Sequence, residues 1–189
     1  MLILIVGAKG GLGTTTLAQH LSRYTGAVPL DAADGKFAVE ASGPGTPVLD
    51  LSRVPEWTVT RRSQMAEQVA HTRQPLLWTP ACTVWRAPVM AFVWDVAALA
   101  PVVADGGLTP PPALADLAAL TLIVSADDAL AQWHEQRLKQ QWPQARAVVG
   151  DLKAAAQALA AYTVGVHTRR SLLDKLRSPQ LSAISPQHR

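Results

Sequence analysis

Cysteine is nearly missing from this chain: Cys82 is the only one in 189 residues. No intramolecular disulfide can form, and no structural zinc site can be assembled from cysteines, which fits a reducing compartment. Charge is thin as well. Only 16% of the residues are Asp, Glu, Lys or Arg, and the net charge of +3 is a small excess spread along the chain, which does not by itself require nucleic acid. No apolar run approaches the ~20 residues of a membrane-spanning helix. The run at the start, "LILIV", gives way at once to glycines, so any membrane contact is expected to be peripheral. What the chain does have is apolar content, 49% of its residues, enough for one well-cored domain. That domain is expected over residues 1–180, with 181–189 as a disordered tail.

Strand and helix patterns alternate. Residues 2–8, "LILIVGA", form a continuous apolar run, the signature of a parallel strand covered on both faces. From Thr14 the apolar positions Leu17, Leu21 and Tyr24 recur at helical spacing until Gly26 closes the helix. "AVPLD" predicts a second strand, and Val48 to Leu51 a short extended piece inside a Gly- and Pro-rich loop. "TRRSQMAEQVAHTRQ" predicts an amphipathic helix. "PLLWTP" (75–80) and "PVMAFVWDV" (88–96) are short, apolar and bounded by turn residues, so both predict strands. "DGGLTPPPALADL" predicts an irregular connection, and "ALTLIV" another strand. "ALAQWHEQRLKQQW" predicts a helix with Leu130, Trp133, Leu138 and Trp142 as its apolar stripe, ended by Pro143. A strand at "ARAVV", a helix at "LKAAAQALAAY", a strand at "TVGVHT" and a short helix at "RRSLLDKL" complete the pattern. The fold class is therefore α/β, a doubly wound, mostly parallel sheet with helices on both faces.

The stretch "GAKGGLGTTT", residues 7–16, stands between the first strand and the first helix. Glycines there let successive backbone N–H groups converge on phosphate oxygens at the positive end of a helix. Gly7, Gly10, Gly11 and Gly13 supply that freedom, and Thr15 stands where a magnesium-binding hydroxyl belongs. Thr14 occupies the position where such loops carry a lysine.

"KGGLGTTT" resembles the deviant Walker-A motif of the MinD/ParA superfamily of P-loop ATPases, whose pattern is Lys-Gly-Gly-x-Gly-Lys followed by two hydroxyl residues. The resemblance implies ATP and Mg2+ as ligands, held by Gly10, Gly11, Leu12, Gly13, Thr14, Thr15 and Thr16. It implies a catalytic role for Lys9, reaching the phosphates of a partner subunit in a nucleotide-sandwich dimer. It implies Asp31 as the residue that orients water, although the usual Asp-x-Asp spacing is replaced by Asp31 and Asp34, and an aspartate starting a turn is an equal reading. It also implies Thr15 and a Walker-B aspartate at the metal. Asp95 ends "MAFVWDV" as that aspartate should, with Asp50 in "PVLDL" as the competitor. Threonine at position 14 is seen in a branch with cellulose-secretion proteins similar to BcsQ and pilus proteins similar to TadZ and CpaE. Cytoplasmic placement, at most peripheral to the inner membrane, follows from that branch. Its partners would be a second copy or a small accessory subunit, and a membrane-bound secretion or pilus complex. Where the family carries an asparagine for adenine, this chain has Gly150 and Asp151. Two other readings stay open, a non-catalytic scaffold that has lost the nucleotide and a DNA-partitioning ATPase.

The other reactive residues form no motif. His20, His71, His134 and His167 lack metal-ligand spacing, and Ser125 and Cys82 lack nucleophile surroundings. Trp78, Trp94 and Trp133 are expected in the core, with Trp57 and Trp85 left for partner contact. Arg53, Arg61 and Arg62 are too few to make nucleic acid an expected partner.

Overall fold

The computed structural model describes residues 1–41, 47–79, 85 and 87–161. The strand expected at 163–168, the helix at "RRSLLDKL", the tail at 181–189, Cys82 and His167 lie outside the described residues. The strands are β1 (Leu2–Gly7), β2 (Val28–Asp31), β3 (Val48–Asp50), β4 (Leu76–Trp78), β5 (Val102–Asp105), β6 (Leu120–Val124) and β7 (Arg146–Val148). They form one sheet in the order β3-β4-β2-β5-β1-β6-β7, and every pairing is parallel. The central strand β1 is buried along its whole length, as its unbroken apolar run requires.

Alternate residues of β1 face opposite layers of helices. Leu2, Leu4 and Val6 pack with α3 (Val59–Thr72), α4 (Ala87–Leu99), α5 (Pro112–Leu117) and α6 (Ala129–Gln141), through Val69, Phe92, Leu114 and Ala131 among others. Ile3 and Ile5 pack with α1 (Thr14–Thr25), α2 (Lys36–Ala41) and α7 (residues 152–161), through Leu17, Leu21, Phe37 and Ala156. The doubly wound α/β architecture expected from the sequence is present.

Helix ends follow local chemistry. The Thr58 hydroxyl accepts from the Arg61 amide at the start of α3, and the Asp128 carboxylate accepts from the Ala131 amide at the start of α6. Gly26, at φ 61°, closes α1 as expected.

Two expectations need correction. Residues 88–96 are not a strand but most of α4, a helix of 13 residues. Its buried positions Val89, Phe92, Val93, Val96 and Ala97 repeat at helical spacing, and its length exceeds that of a short core strand. The strand lies further on, in "VVAD", and as β5 it occupies the place beside β1. Of the tryptophans expected in the core, Trp78 packs against it, but the other assignments are reversed. Trp94 and Trp133 are 56% and 51% exposed, whereas Trp57 and Trp85 pack against the core. Leu130 is likewise exposed, and α6 meets the sheet through Ala131, Leu138 and Trp142.

Candidate functional site

The carboxyl ends of β1, β2, β5 and β6 meet at one edge of the sheet, where open α/β sheets place their ligands. The loop from Ala8 to Gly13 leaves β1 there and is pinned by the strands on both sides. The Gly7 amide donates to the Gly107 carbonyl at 2.8 Å, and the Ala8 amide to the Val124 carbonyl at 2.9 Å. Gly11 (φ 80°) and Gly13 (φ 91°) hold left-handed conformations that turn the chain into α1. At Gly13 a Cβ would lie 2.6 Å from Leu152 Cδ1, so α7 closes over the end of the loop.

Helix α1 opens without a side-chain cap. Its first amides, those of Thr14, Thr15 and Thr16, have no acceptor within the helix and stand at the positive end of a 12-residue helix. Nothing lies within 4 Å of where a Cβ would stand on Gly10 or Gly11, so the loop is open there.

Beneath the loop, the buried Thr15 hydroxyl donates to Asp105 Oδ2 at 2.7 Å. Asp105 ends β5, is 2% exposed, and takes a second bond from the Gly107 amide at 3.1 Å through Oδ1. Burial pushes its carboxyl above the ordinary value of 3.8, against the two hydrogen bonds that pull it down, and Asp31 and Asp34 add to the rise. A hydroxyl and a carboxylate joined in this way are the oxygen donors that a hard divalent cation takes.

Asp95 is elsewhere. It lies on α4 and pairs with Arg62 of α3 at 3.6 Å, so it does not join the loop as a Walker-B carboxylate. Asp50, the competitor, ends β3 at the sheet's edge, and its carboxylate accepts from the Ser52 amide. The aspartate that meets the loop is Asp105. The signal for it was an apolar run ending in Asp and two glycines, "VVADGG", hidden behind the longer apolar run of α4.

Asp31 is fully buried, and its two oxygens accept from the amides of Ala33 (3.0 Å), Gly35 (3.4 Å) and Ala38 (2.8 Å). It folds the turn into α2. Lys9 sits half-buried in the loop with its ammonium 2.7 Å from Asp128 Oδ2. That bond holds the Asp128 carboxyl below its ordinary range, helped by the Ala131 amide. Lys9 also lines a cleft of about 520 Å3 with Gly7, Gly10, Leu108, His134 and Arg137. Asp151 accepts from the Lys153 and Ala154 amides, so its carboxylate caps α7. Among the described residues no cluster of three or more His, Cys, Asp or Glu could hold a metal, and no helix is long and apolar enough to cross a membrane.

The fold is that of the ParA- and MinD-type P-loop NTPases. The chain is similar to the ParA family ATPase from Chlorobium tepidum TLS, at 14% identity over 79% of this chain and 73% of that one, with a TM-score of 0.58. It is similar to a chain of the MinC:MinD cell division protein complex of Aquifex aeolicus, at 21% identity over 78% of this chain and 67% of that one, again with a TM-score of 0.58. No protein-family model matches the sequence, and no curated protein matches it.

Proposed function

We propose that the chain is a MinD/ParA-like switch that binds ATP with Mg2+ at the loop of residues 9–16. The observation that carries this reading is the bond between Thr15 and Asp105, set under an uncapped helix start and an open glycine loop. The amides of Gly10, Gly11, Leu12, Gly13, Thr14, Thr15 and Thr16 would hold the phosphates. Thr15 and Asp105 would hold the metal, with Asp105 in the place first given to Asp95. When bound, Mg2+ supplies charge neutralisation at the phosphates.

Thr14 offers a hydroxyl but no charge, so the site is one cation short of the usual loop. Lys9 can supply a cation to a facing subunit only by leaving Asp128, which couples nucleotide occupancy to dimer formation and makes turnover slow. Asp31 has its carboxylate oxygens committed to backbone amides, and we assign it to the turn and not to water. The resemblance of "KGGLGTTT" to the threonine-bearing branch supports a role beside a membrane-bound machine. Cellulose secretion is the first assignment and pilus assembly the second, with a second copy or small accessory subunit as direct partner.

The Lys9–Asp128 pair favours one other reading, a scaffold whose loop no longer takes nucleotide. Calorimetry with ATP and Mg2+, together with molar mass with and without nucleotide, separates the two. Binding with nucleotide-dependent dimers, abolished by Lys9→Ala and weakened by Asp105→Asn, supports the switch. Absence of binding, with mass unchanged, overturns it.

A further inference from the structure

Beside the phosphate loop, the cleft that Lys9 lines takes Leu108 from the turn after β5 and His134, Arg137 and Leu138 from α6. Three of these side chains are basic, and no described Asp or Glu lines the cleft. The bases are not equivalent. The Lys9 ammonium is held by Asp128, and Lys139 further along α6 is held by Glu135, whereas Arg137 forms no ion pair among the described residues. Its guanidinium lies 4.9 Å from the centre of the Trp133 ring, and the His134 ring meets the same indole edge-on at 4.7 Å. Trp133 is itself exposed, as is Leu130 one turn back. A guanidinium laid on an aromatic face has its fork held in place. Left without a counter-charge, it is a receptor for a carboxylate.

We propose that this cleft, with the adjoining Trp133, docks an acidic segment of a partner protein. One carboxylate of the segment forks onto the Arg137 guanidinium, and apolar side chains beside it meet Leu108, Leu138 and Trp133. Trp and Arg are the residue types that carry much of the binding energy where proteins meet. Other occupants match less well. Small-molecule sites bury ~70–90% of their ligand, whereas Leu108, Arg137 and Trp133 are exposed, so the cleft is open to a chain lying across it. A phosphate backbone or an anionic lipid surface presents negative charge evenly, and it would also meet Asp127, Asp128 and Glu135 in and just before α6. A segment bearing one or two carboxylates needs no such surface. A second copy brings a net charge of +3 and so supplies the wrong sign overall.

Selection of random displayed peptides on the nucleotide-free chain, followed by anisotropy titration of the labelled winners, tests the site. Expected winners combine Asp or Glu with Leu, Phe or Trp. Arg137→Ala should weaken their binding at least about tenfold, and Arg137→Lys by less, since lysine keeps the charge and loses the fork. Trp133→Ala should weaken it as well. Both residues are exposed, so these variants should keep the fold, which circular dichroism checks. Because ATP is absent from the titration, failure of the nucleotide reading leaves this result intact, and Asp105→Asn should not alter peptide binding. No winners, winners without acidic residues, binding unaffected by Arg137→Ala, equal competition by free glutamate, or tighter binding of DNA or phosphatidylglycerol vesicles would overturn the proposal.

Discussion

Replacing Asp31 with alanine separates a residue that builds the site from one that acts in it. The carboxylate accepts three backbone amides while fully buried. The Ala38 bond, at 2.8 Å, is buried, and its loss strands a donor at a cost of about 1–3 kcal/mol. The Ala33 and Gly35 amides are partly buried and the Gly35 bond is long, so each should cost about 0.5–1.5 kcal/mol. Asp31→Ala is therefore expected to lose roughly 2–6 kcal/mol, a large part of the ~5–15 kcal/mol by which domains are stable. Asp31→Asn keeps one acceptor oxygen but turns the other into a donor facing an amide, so it should lose at least about half as much. Urea unfolding of the nucleotide-free chain measures both, with an unchanged slope showing that the folded state is the same. A loss under about 0.5 kcal/mol for Asp31→Ala, combined with abolished ATP turnover, would refute the structural assignment and return Asp31 to the water.

Three further outcomes follow from the loop. Gly13→Ala sets a Cβ 2.6 Å from Leu152 Cδ1 at φ 91°, so it should cost about 1–2 kcal/mol in backbone strain plus a steric part that Leu152→Ala relieves, as a double-mutant unfolding cycle would show. Asp105 has its carboxyl raised by burial, so the folded chain holds that proton more tightly than the unfolded chain does. Stability contributed in this way is present below 3.8 and falls as pH rises through the raised value. Asp105→Asn removes the fall and, without magnesium, should be more stable than the native chain at neutral pH; parallel pH profiles would refute this. Thr14→Lys restores a charged donor worth about 1.5–3 kcal/mol, so ATP affinity should rise roughly tenfold to a hundredfold by calorimetry.

The sequence made the glycine loop legible because its signal is local. Glycines, hydroxyls and a following helical period sit within ten residues, and the structure brings Thr15 to the carboxylate of Asp105 at the end of a neighbouring strand. Asp105 was not legible because its strand is four residues long and follows an apolar run three times that length. "PVMAFVWDV" reads as a strand because it is short, apolar and bounded by turn residues, and only burial at helical spacing shows it to be a helix. The Asp31 turn was invisible for another reason, since a sequence does not say whether an aspartate's oxygens face solvent or backbone amides. Trp94 and Trp133 were placed in the core because they fall in an apolar run read as a strand and in an apolar stripe read as a helix face, whereas both are exposed on helices whose buried faces are formed by other residues.

The misread helix and the missed aspartate have one physical origin. Residues 87–99 had enough apolar content for a central strand because two faces of α4 are apolar and only one of them meets the sheet. Had the outer face carried the usual Lys and Glu, the helical period would have been plain, and the search for a strand ending in aspartate would have moved on to Asp105. A sequence reading that assumes one buried face per helix will therefore err where a helix has two surfaces to cover.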